Sequence, residues 1–371
     1  MRRLGGAAAT AALVLLMTAC SPGAAIETAS PAATPAPTSS PTPTWPSALG
    51  DTSCEELIPQ DLVDATFGVP LVAGATDPAR AAYGSFWTSA YEYAGGLSCE
   101  WGAVDPSAPT EDRNGIDGPD NWLAVAVDLI PRGAETSERI ASELGGSTPG
   151  ADPAGACDFG TCSAEMVIGE YWVSAFAISY ADSYLPPTES EQAVFDHVAS
   201  VVGGLGESRS PQLPEAASSW PSDCEGVVSR DTLAATLELS APEWVPGYSY
   251  RSSNLPYGAV FGAGGQACGF AGTESGRMGS IETLPGAGVE FAVSAASALE
   301  SPNVSAVEIP GLSAGSVIVR IDPMVADRAD LEMNFNGTWV VISLGGASSL
   351  GDGSLSAAER LTALATAMVA N

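Results

Sequence analysis

The sequence contains no lysine and only one histidine, while acidic residues are abundant. Thirteen arginines stand against 44 aspartates and glutamates, which gives a formal net charge of −31 at neutral pH. A surface with this charge repels the phosphates of nucleic acids and the headgroups of anionic lipids. We therefore expect no nucleic acid as a partner, and any contact with a membrane has to come from something other than basic side chains.

Long apolar runs are also missing, with one exception at the N-terminus. The stretch from Leu4 to Met17 is apolar and follows Arg2 and Arg3. It is shorter than the roughly 20 residues that a permanent membrane span needs. A basic start, a short apolar run and small residues before a cleavage point are typical of an export signal. We expect residues 1–19 to be a signal peptide that is removed on export.

The end of this segment, Met17-Thr18-Ala19-Cys20, resembles a lipobox, the motif at which bacteria lipidate a cysteine and cleave just before it. Lipoboxes favour leucine at the first position, where this chain has Met17. The resemblance implies a lipoprotein in which Cys20 carries acyl chains such as palmitate. These chains would hold the protein on the outer face of the cell membrane. The alternative is an ordinary secreted protein with a free Cys20.

Two stretches of biased composition divide the rest of the chain. Residues 20–47 consist mainly of proline, alanine, threonine and serine, cannot bury a core, and favour extended polyproline II at about 3.1 Å per residue. We expect a tether that lifts the body away from the membrane. Residues 207–222 are polar and contain prolines, and they predict a linker near the middle of the body.

The parts on either side of this linker, residues 48–206 and 223–371, repeat several features in the same order. Trp-Pro-Ser precedes Cys54 and again precedes Cys224, and the next cysteine follows 45 and 44 residues later. The pairs that recur at an offset of 167 residues are Glu165-Met166 with Glu332-Met333, and Trp172-Val173 with Trp339-Val340. Several weak matches in one order indicate an ancient duplication and two repeat domains.

The cysteines indicate a disulfide framework. With Cys20 assigned to the lipid, six cysteines remain, an even number that suits an oxidising compartment and allows 15 pairings. If the duplication pairs equivalent cysteines, the bonds are Cys54–Cys99, Cys224–Cys268 and Cys157–Cys162. The last pair has four residues between its cysteines, unlike the C-x-x-C of a redox or zinc site, so we expect a local structural disulfide and no metal.

Both parts show the same predicted order of elements. A short helix follows the first cysteine, and a long aromatic-rich loop leads to a strand that holds the second cysteine. A central helix, further strands and a closing helix follow. Gly169 and Asn336-Gly337 predict hairpin turns, the latter of type I′. The prediction is an α+β fold of two tandem α/β sandwich domains, each a mainly antiparallel sheet with helices on one face.

This sequence of features resembles the actinobacterial lipoproteins grouped as the domain of unknown function DUF3558. The residues that carry the resemblance are Cys224, Cys268-Gly269-Phe270 and Gly311–Val317 in the second part, and Cys54 and Cys99-Glu100-Trp101 in the first. The first part departs from the pattern by an acidic insert, residues 105–120, and by the pair Cys157 and Cys162. The resemblance implies an α+β fold and an envelope location, and it implies no established reaction.

Three motifs suggest catalysis or nucleotide binding, but each has a simpler interpretation. His197, the only histidine, lies in a helical pattern with no nucleophile nearby in sequence, so we expect a packing residue rather than a general base. Gly311–Gly315 has the G-x-S-x-G spacing of a nucleophile elbow around Ser313, but a strand pattern follows it and no histidine comes later. Gly262–Ala267 imitates a dinucleotide fingerprint but leads into a strand, so we expect a flexible loop and no cofactor.

The segment Asp112–Asp120 offers oxygen atoms of the kind that Ca²⁺ prefers, at nearly alternate positions. Its register differs by one residue from that of an EF-hand loop. We expect a solvated acidic loop, with calcium binding as the alternative.

Aromatic residues are concentrated before the second cysteine of each part. Tyrosine and tryptophan combine a flat apolar face with a polar tip, as binding surfaces require. The predicted ligand-binding residues are Trp87, Tyr91, Tyr93, Trp244, Tyr248 and Tyr250. The alternative is that these rings cover the open face of the sheet.

These observations predict a membrane-anchored, extracytoplasmic binding or interaction protein of the cell envelope that is not an enzyme. The expected partners are an envelope protein, a glycan or an apolar ligand. The alternatives are a cell-envelope enzyme or hydrolase accessory, and a purely structural envelope component.

Overall fold

The structure, a computed structural model, describes most of the chain after residue 48. The described residues are 49, 52–75, 78–104, 122–144, 148–158, 161–178, 188–208, 220–245, 255–272, 277–321, 328–346 and 356–370. The predicted signal peptide, Cys20, the tether and the acidic loop Asp112–Asp120 lie outside these residues. None of the described helices combines the length and the apolar character that crossing a bilayer requires.

The first half of the body contains five helices and six strands among its described residues. In chain order they are α1 (Cys54–Leu57), α2 (Gln60–Phe67), β1 (Val72–Ala73), α3 (Pro78–Tyr93), β2 (Leu97–Val104), β3 (Trp122–Pro131), α4 (Gly133–Leu144), β4 (Ala156–Asp158), β5 (Thr161–Ile168), β6 (Tyr171–Ile178) and α5 (Glu189–Gly204).

The second half contains five helices and seven strands among its described residues. They are α6 (Cys224–Val227), α7 (Arg230–Leu237), β7 (Pro242–Val245), α8 (Leu255–Gly262), β8 (Gln266–Gly272), β9 (Arg277–Pro285), α9 (Gly288–Ala298), β10 (Val304–Ala306), β11 (Val317–Ile321), β12 (Ala329–Phe335), β13 (Thr338–Gly346) and α10 (Ala357–Ala370).

Each half forms its own antiparallel sheet. The first sheet has the order β1-β2-β3-β6-β5-β4, and the second, read from its opposite edge, has the order β7-β8-β9-β13-β12-β11-β10. The two orders agree position by position, and β10 is one further strand at the edge of the second sheet. The predicted α+β class, with two antiparallel sheets in successive halves, is confirmed.

The hairpins turn where the sequence predicted. Gly169 lies between β5 and β6 with φ +58°, and Asn336 and Gly337 lie between β12 and β13 with φ values of +53° and +79°. Positive φ at both central residues is the geometry of a type I′ turn.

The aromatic-rich loops predicted before the second cysteines are largely helical. They form α3 and α8, and both helices end at equivalent glycines, Gly95 (φ +77°) and Gly264 (φ +78°). The glycines that follow lie against the neighbouring strand: a Cβ atom on Gly96 or Gly265 would come within 2.1 or 1.9 Å of a backbone oxygen. The prediction of a flexible loop at Gly262–Ala267 is therefore wrong, because these glycines end a helix in a tight turn that other residues cannot adopt.

The three predicted disulfides are present. Cys54 and Cys224, each the first residue of a short helix, are bonded to Cys99 on β2 and Cys268 on β8. In each half the bond therefore fixes the opening helix to the strand next to the sheet edge. The remaining pair, Cys157–Cys162, joins directly opposite residues of β4 and β5.

Helices cover both faces of each sheet, whereas the sequence predicted helices on one face only. In the first half, α1, α2 and α5 cover one face around Val125, Val127 and Val173. In the second half, α7 and α10 cover the equivalent face around Leu331 and Ile342. A further set of helices packs on the opposite faces of the two sheets. The prediction of helices on one face therefore describes only the helices on the outer faces.

A third core, which we call the inter-half core, lies between the two sheets. Helices α3 and α8 pack on each other, α4 packs on α8, and α9 packs on α3. The buried side chains of this core come from both halves: Phe86, Ala90, Tyr91, Tyr93, Ile130, Ile140 and Trp172 with Leu255, Tyr257, Val260, Phe261, Leu284, Phe291, Ile318 and Trp339. Residues 44–371 consequently form one compact unit.

The disulfides differ in the length of chain that they close, and this difference is testable. Replacing Cys54 and Cys99 together by alanine should lower the free energy of unfolding by about 4 kcal/mol, because the bond restricts 45 residues of the unfolded chain. The control variant lacks Cys157 and Cys162, whose bond spans 5 residues, and should lose about 2 kcal/mol. Denaturant titration of both variants measures the losses, and equal losses would contradict this account.

Candidate functional site

The inter-half core is organised around two equivalent tryptophans. Trp172 on β6 donates a hydrogen bond from Nε1 to a Glu165 carboxylate oxygen at 2.8 Å, and Trp339 on β13 donates to Glu332 at 3.1 Å. In each case the acceptor lies seven residues earlier, on the neighbouring strand of the hairpin. The recurring Glu-Met and Trp-Val pairs of the sequence therefore form the same contact in both halves, partly buried in the first and buried in the second.

Each tryptophan also contacts a helix of the other half. The Trp339 ring meets Phe86 of α3 edge to face, with the ring centroids 5.4 Å apart. Trp172 lies against Gly258 of α8, where a Cβ atom would approach the indole ring within 2.9 Å. Glycine at this position therefore lets α8 lie close to the first sheet.

The second sheet places an ion pair beside its tryptophan. Arg320 Nε lies 2.6 Å from one oxygen of Glu332, and both side chains are buried. Burial raises the pKa of the Glu332 carboxyl, and the positive charge of Arg320 acts against that increase. Because the second oxygen of Glu332 accepts from Trp339, the carboxylate is held on both sides. A buried carboxylate in this position orients its neighbours, and removing one partner would leave an uncompensated charge.

Two of the predicted ligand-binding aromatics are part of the inter-half core. Tyr91 and Tyr93 are 2% and 4% exposed, and the Tyr93 hydroxyl donates to the carbonyl oxygen of Gly286 in the second half at 3.1 Å. The prediction that these two side chains face a partner is wrong. A helix replaces the expected loop, and one side of that helix has to be covered.

Trp87 and Trp244 are half-buried and lie in different surroundings. The Trp87 ring meets Tyr257 of the other half edge to face at 5.6 Å. Trp244 donates from Nε1 to Glu225 at 2.9 Å, and its ring lies 6.4 Å from that of Phe270 in the core of the second half.

The structure thus places Trp87 at the inter-half core and Trp244 at the outer core of the second half. The remaining two predicted binding residues, Tyr248 and Tyr250, lie outside the described residues.

The hydrogen bond from Trp244 has an electrostatic effect on its acceptor. It is the largest cause that lowers the pKa of the Glu225 carboxyl, and Arg230 contributes through a backbone and a side-chain contact. Glu225 follows Cys224, so this group of contacts holds the first strand of the second sheet to the opening helix.

The other sequence motifs lie on a helix, in a turn and in a disulfide bond. His197 is half-buried on the closing helix α5. Ser313 lies in an exposed turn whose carbonyl accepts from Ser316 at 3.1 Å, and strand β11 begins directly afterwards. Cys157, Cys162 and Glu191 approach one another closely, but the two sulfur atoms are bonded to each other and do not serve as metal ligands.

Helix α9 presents a surface that the sequence analysis missed. Among the described residues, five large apolar side chains are strongly exposed, and three of them, Val289, Val293 and Leu299, lie on α9 or directly after it. The signal was present in the sequence: the helix has alanine or valine at positions that a solvent-facing stripe normally fills with charges.

Two acidic residues approach each other beside this helix. The Glu92 side chain near the end of α3 is exposed, but partial desolvation by its neighbours raises the pKa of its carboxyl, and the charge of Glu290 in the first turn of α9 raises it further. One oxygen of Glu290 is buried without a hydrogen-bond donor. The two halves therefore meet at a point of like charge.

Comparison of this chain with models of protein families, with curated proteins and with solved structures finds no match.

Replacing Glu92 by glutamine should raise the melting temperature at pH 7. A carboxyl whose pKa is raised on folding is unfavourable when ionised, so its cost is present above the folded pKa and is relieved as the pH falls through it. The gain from Glu92→Gln should therefore shrink as the pH falls through this raised pKa, and it should be largely lost at about pH 4, where the side chain is protonated in the folded and the unfolded protein.

The matched control is Glu138→Gln, which removes one negative charge from an exposed position on α4. Thermal melts at both pH values measure the difference between the two variants. A lower melting temperature for Glu92→Gln at pH 7, or a gain that does not change with pH, would refute the like-charge contact.

Proposed function

We propose that this chain is a lipid-anchored, extracytoplasmic protein of the cell envelope that binds or assembles with another molecule and is not an enzyme. The observation that carries the proposal is the pairing of the cysteines. The six cysteines of the body are bonded to one another within their own halves, and Cys20 is the one cysteine of the sequence that these three bonds do not use.

Several features of the sequence support export and anchoring. Disulfides persist in oxidising compartments, so three of them in one body favour a location outside the cytoplasm. Cys20 follows a short apolar segment with a basic start, as in an export signal. The net charge of −31 makes acyl chains, rather than basic residues, the plausible contact with a membrane.

The arrangement of buried groups supports a non-catalytic role. The aromatic residues of α3 are engaged in the core between the two halves, and the carboxylate of Glu332 is engaged by Arg320 and Trp339 within the second half. The protein therefore uses its most chemically versatile side chains for packing, while its outer surface remains available for a partner.

The alternative of an envelope enzyme or hydrolase accessory rests on one observation. Each sheet carries two acidic residues separated by one strand, Asp128 with Glu165 and Glu282 with Glu332. Strand spacing places such pairs about 10 Å apart along the sheet. However, Asp128 accepts from Ser98 at 2.6 Å and is buried, which suits a structural contact better than a site open to substrate.

We also infer that the two halves descend from one duplicated unit and that the body belongs with the DUF3558-type lipoproteins. The common strand order, the two Glu–Trp hydrogen bonds and the equivalent disulfides support the duplication. The cysteine placement and the turn at Gly311–Gly315 support the family assignment. A purely structural envelope component remains the third interpretation.

Anchoring is tested by the substitution Cys20→Ala. In cells that make bacterial lipoproteins, the variant should appear in the medium or accumulate as an unprocessed precursor, and it should not incorporate labelled palmitate. The matched control lacks Cys157 and Cys162 but keeps Cys20, and it should remain in the membrane fraction. A mature-sized Cys20→Ala protein that still fractionates with membranes would refute the lipid anchor.

A further inference from the structure

The strongest unassigned feature of the molecule is the outer surface of α9. Its exposed positions recur at helical spacing: Val289, Ala292, Val293 and Ala296, with Leu299 directly after the helix. Val289 is 51% exposed and Val293 is 70% exposed. Apolar residues that line up on one helix face mark an interaction site more often than isolated ones do.

The first half contains an internal comparison for this surface. Helix α4 occupies the equivalent place: the N–H of Gly133 donates to the turn between β5 and β6, and the N–H of Gly288 donates to the turn between β12 and β13. Five residues after these glycines, α4 has Glu138 where α9 has Val293. The same position on the same fold thus carries a charge in one half and an exposed valine in the other, so packing does not require the valine.

The border of this apolar face is acidic. Glu290 lies in the first turn of α9, Glu300 is exposed beyond its end, and Glu92 from α3 lies close enough to Glu290 to interact electrostatically. Helix α9 itself contains no arginine. An apolar stripe between carboxylates is complementary to an apolar stripe between cations.

We propose that α9 is a docking surface for a partner protein that presents an apolar helical stripe flanked by arginine or lysine. The inference rests on the proposed role as an interaction protein and names the chemistry of its partner. It does not depend on the lipid anchor.

Charge disfavours three other occupants of this surface: a second copy of the chain, an anionic bilayer and the tether. A second copy of the chain would bring one acidic border against another, and each copy has a net charge of −31. An anionic bilayer would be repelled for the same reason. The tether, residues 20–47, contains one glutamate and no arginine, so it offers no cation to the border.

The test uses the purified full chain and two labelled peptides of about 18 residues, long enough for an amphipathic helix. One peptide has a leucine stripe flanked by arginines, and the other has the same stripe flanked by glutamates. Fluorescence anisotropy should show that the arginine peptide binds at least about ten-fold more tightly than the glutamate peptide.

The decisive variant is Val293→Glu. It should weaken binding of the arginine peptide about ten-fold or more, because it places a charge within the apolar contact. Non-specific attraction between a basic peptide and an acidic protein would instead become stronger, since the variant adds a negative charge. The control Ser142→Glu adds the same charge at an exposed position of α4 and should leave the affinity within about two-fold of the wild type.

Val289→Glu is a second variant on the same face and should behave like Val293→Glu, with circular dichroism confirming that both are folded. The proposal is overturned if both variants bind the arginine peptide as tightly as the wild type, or if the glutamate peptide binds equally well. It is also overturned if sedimentation shows self-association that Val293→Glu abolishes, or if phosphatidylglycerol vesicles bind the wild type and not the variant. A failure of Cys20 lipidation would leave all of these results unchanged.

Discussion

The structure depends on the need to cover the second face of each sheet. Residues on a strand alternate between the two faces, so the helices that cover Val125, Val127 and Val173 leave Ile130 and Trp172 on the other side. The helices that cover that side come from both halves. The second faces of both sheets are buried in one common core, because α3 and α8 pack between the sheets and each sheet contributes one tryptophan.

The need to bury these faces together accounts for several residues whose contacts would be missing in an isolated half. Gly258 is small because α8 lies against Trp172, and Tyr93 donates its hydroxyl proton to a carbonyl of the other half. Arg139 of α4 lies with its guanidinium carbon 4.3 Å from the centre of the Phe261 ring, a cation–π contact between the halves. Among the described residues, α9 and the residue after it carry three of the five strongly exposed large apolar side chains, and the equivalent helix of the first half has Glu138 at the position of Val293.

Much of the fold was predictable from the sequence, and the failures have one physical cause. The disulfides, hairpin turns and sheet class follow from local patterns and from the matches between the two parts. The aromatic segments predict loops, because their glycines and tyrosines interrupt the usual helical pattern. Their helices are stabilised by contacts with the other half, and the local pattern of one half does not contain these contacts. Tyr91 and Tyr93 were assigned to the surface for the same reason, and the face of α9 was missed because valine and alanine predict burial.

The central claim is that the inter-half core makes the body one cooperative unit. Hydrogen exchange measured across a guanidinium titration, with the disulfides intact, follows β3 and β6 in the first half and β9 and β13 in the second. The account predicts that both sheets lose protection at a single midpoint, and that Gly258→Leu, which crowds Trp172, lowers the stability of both. Two separate midpoints in the wild-type protein, with Gly258→Leu affecting only one half, would contradict it.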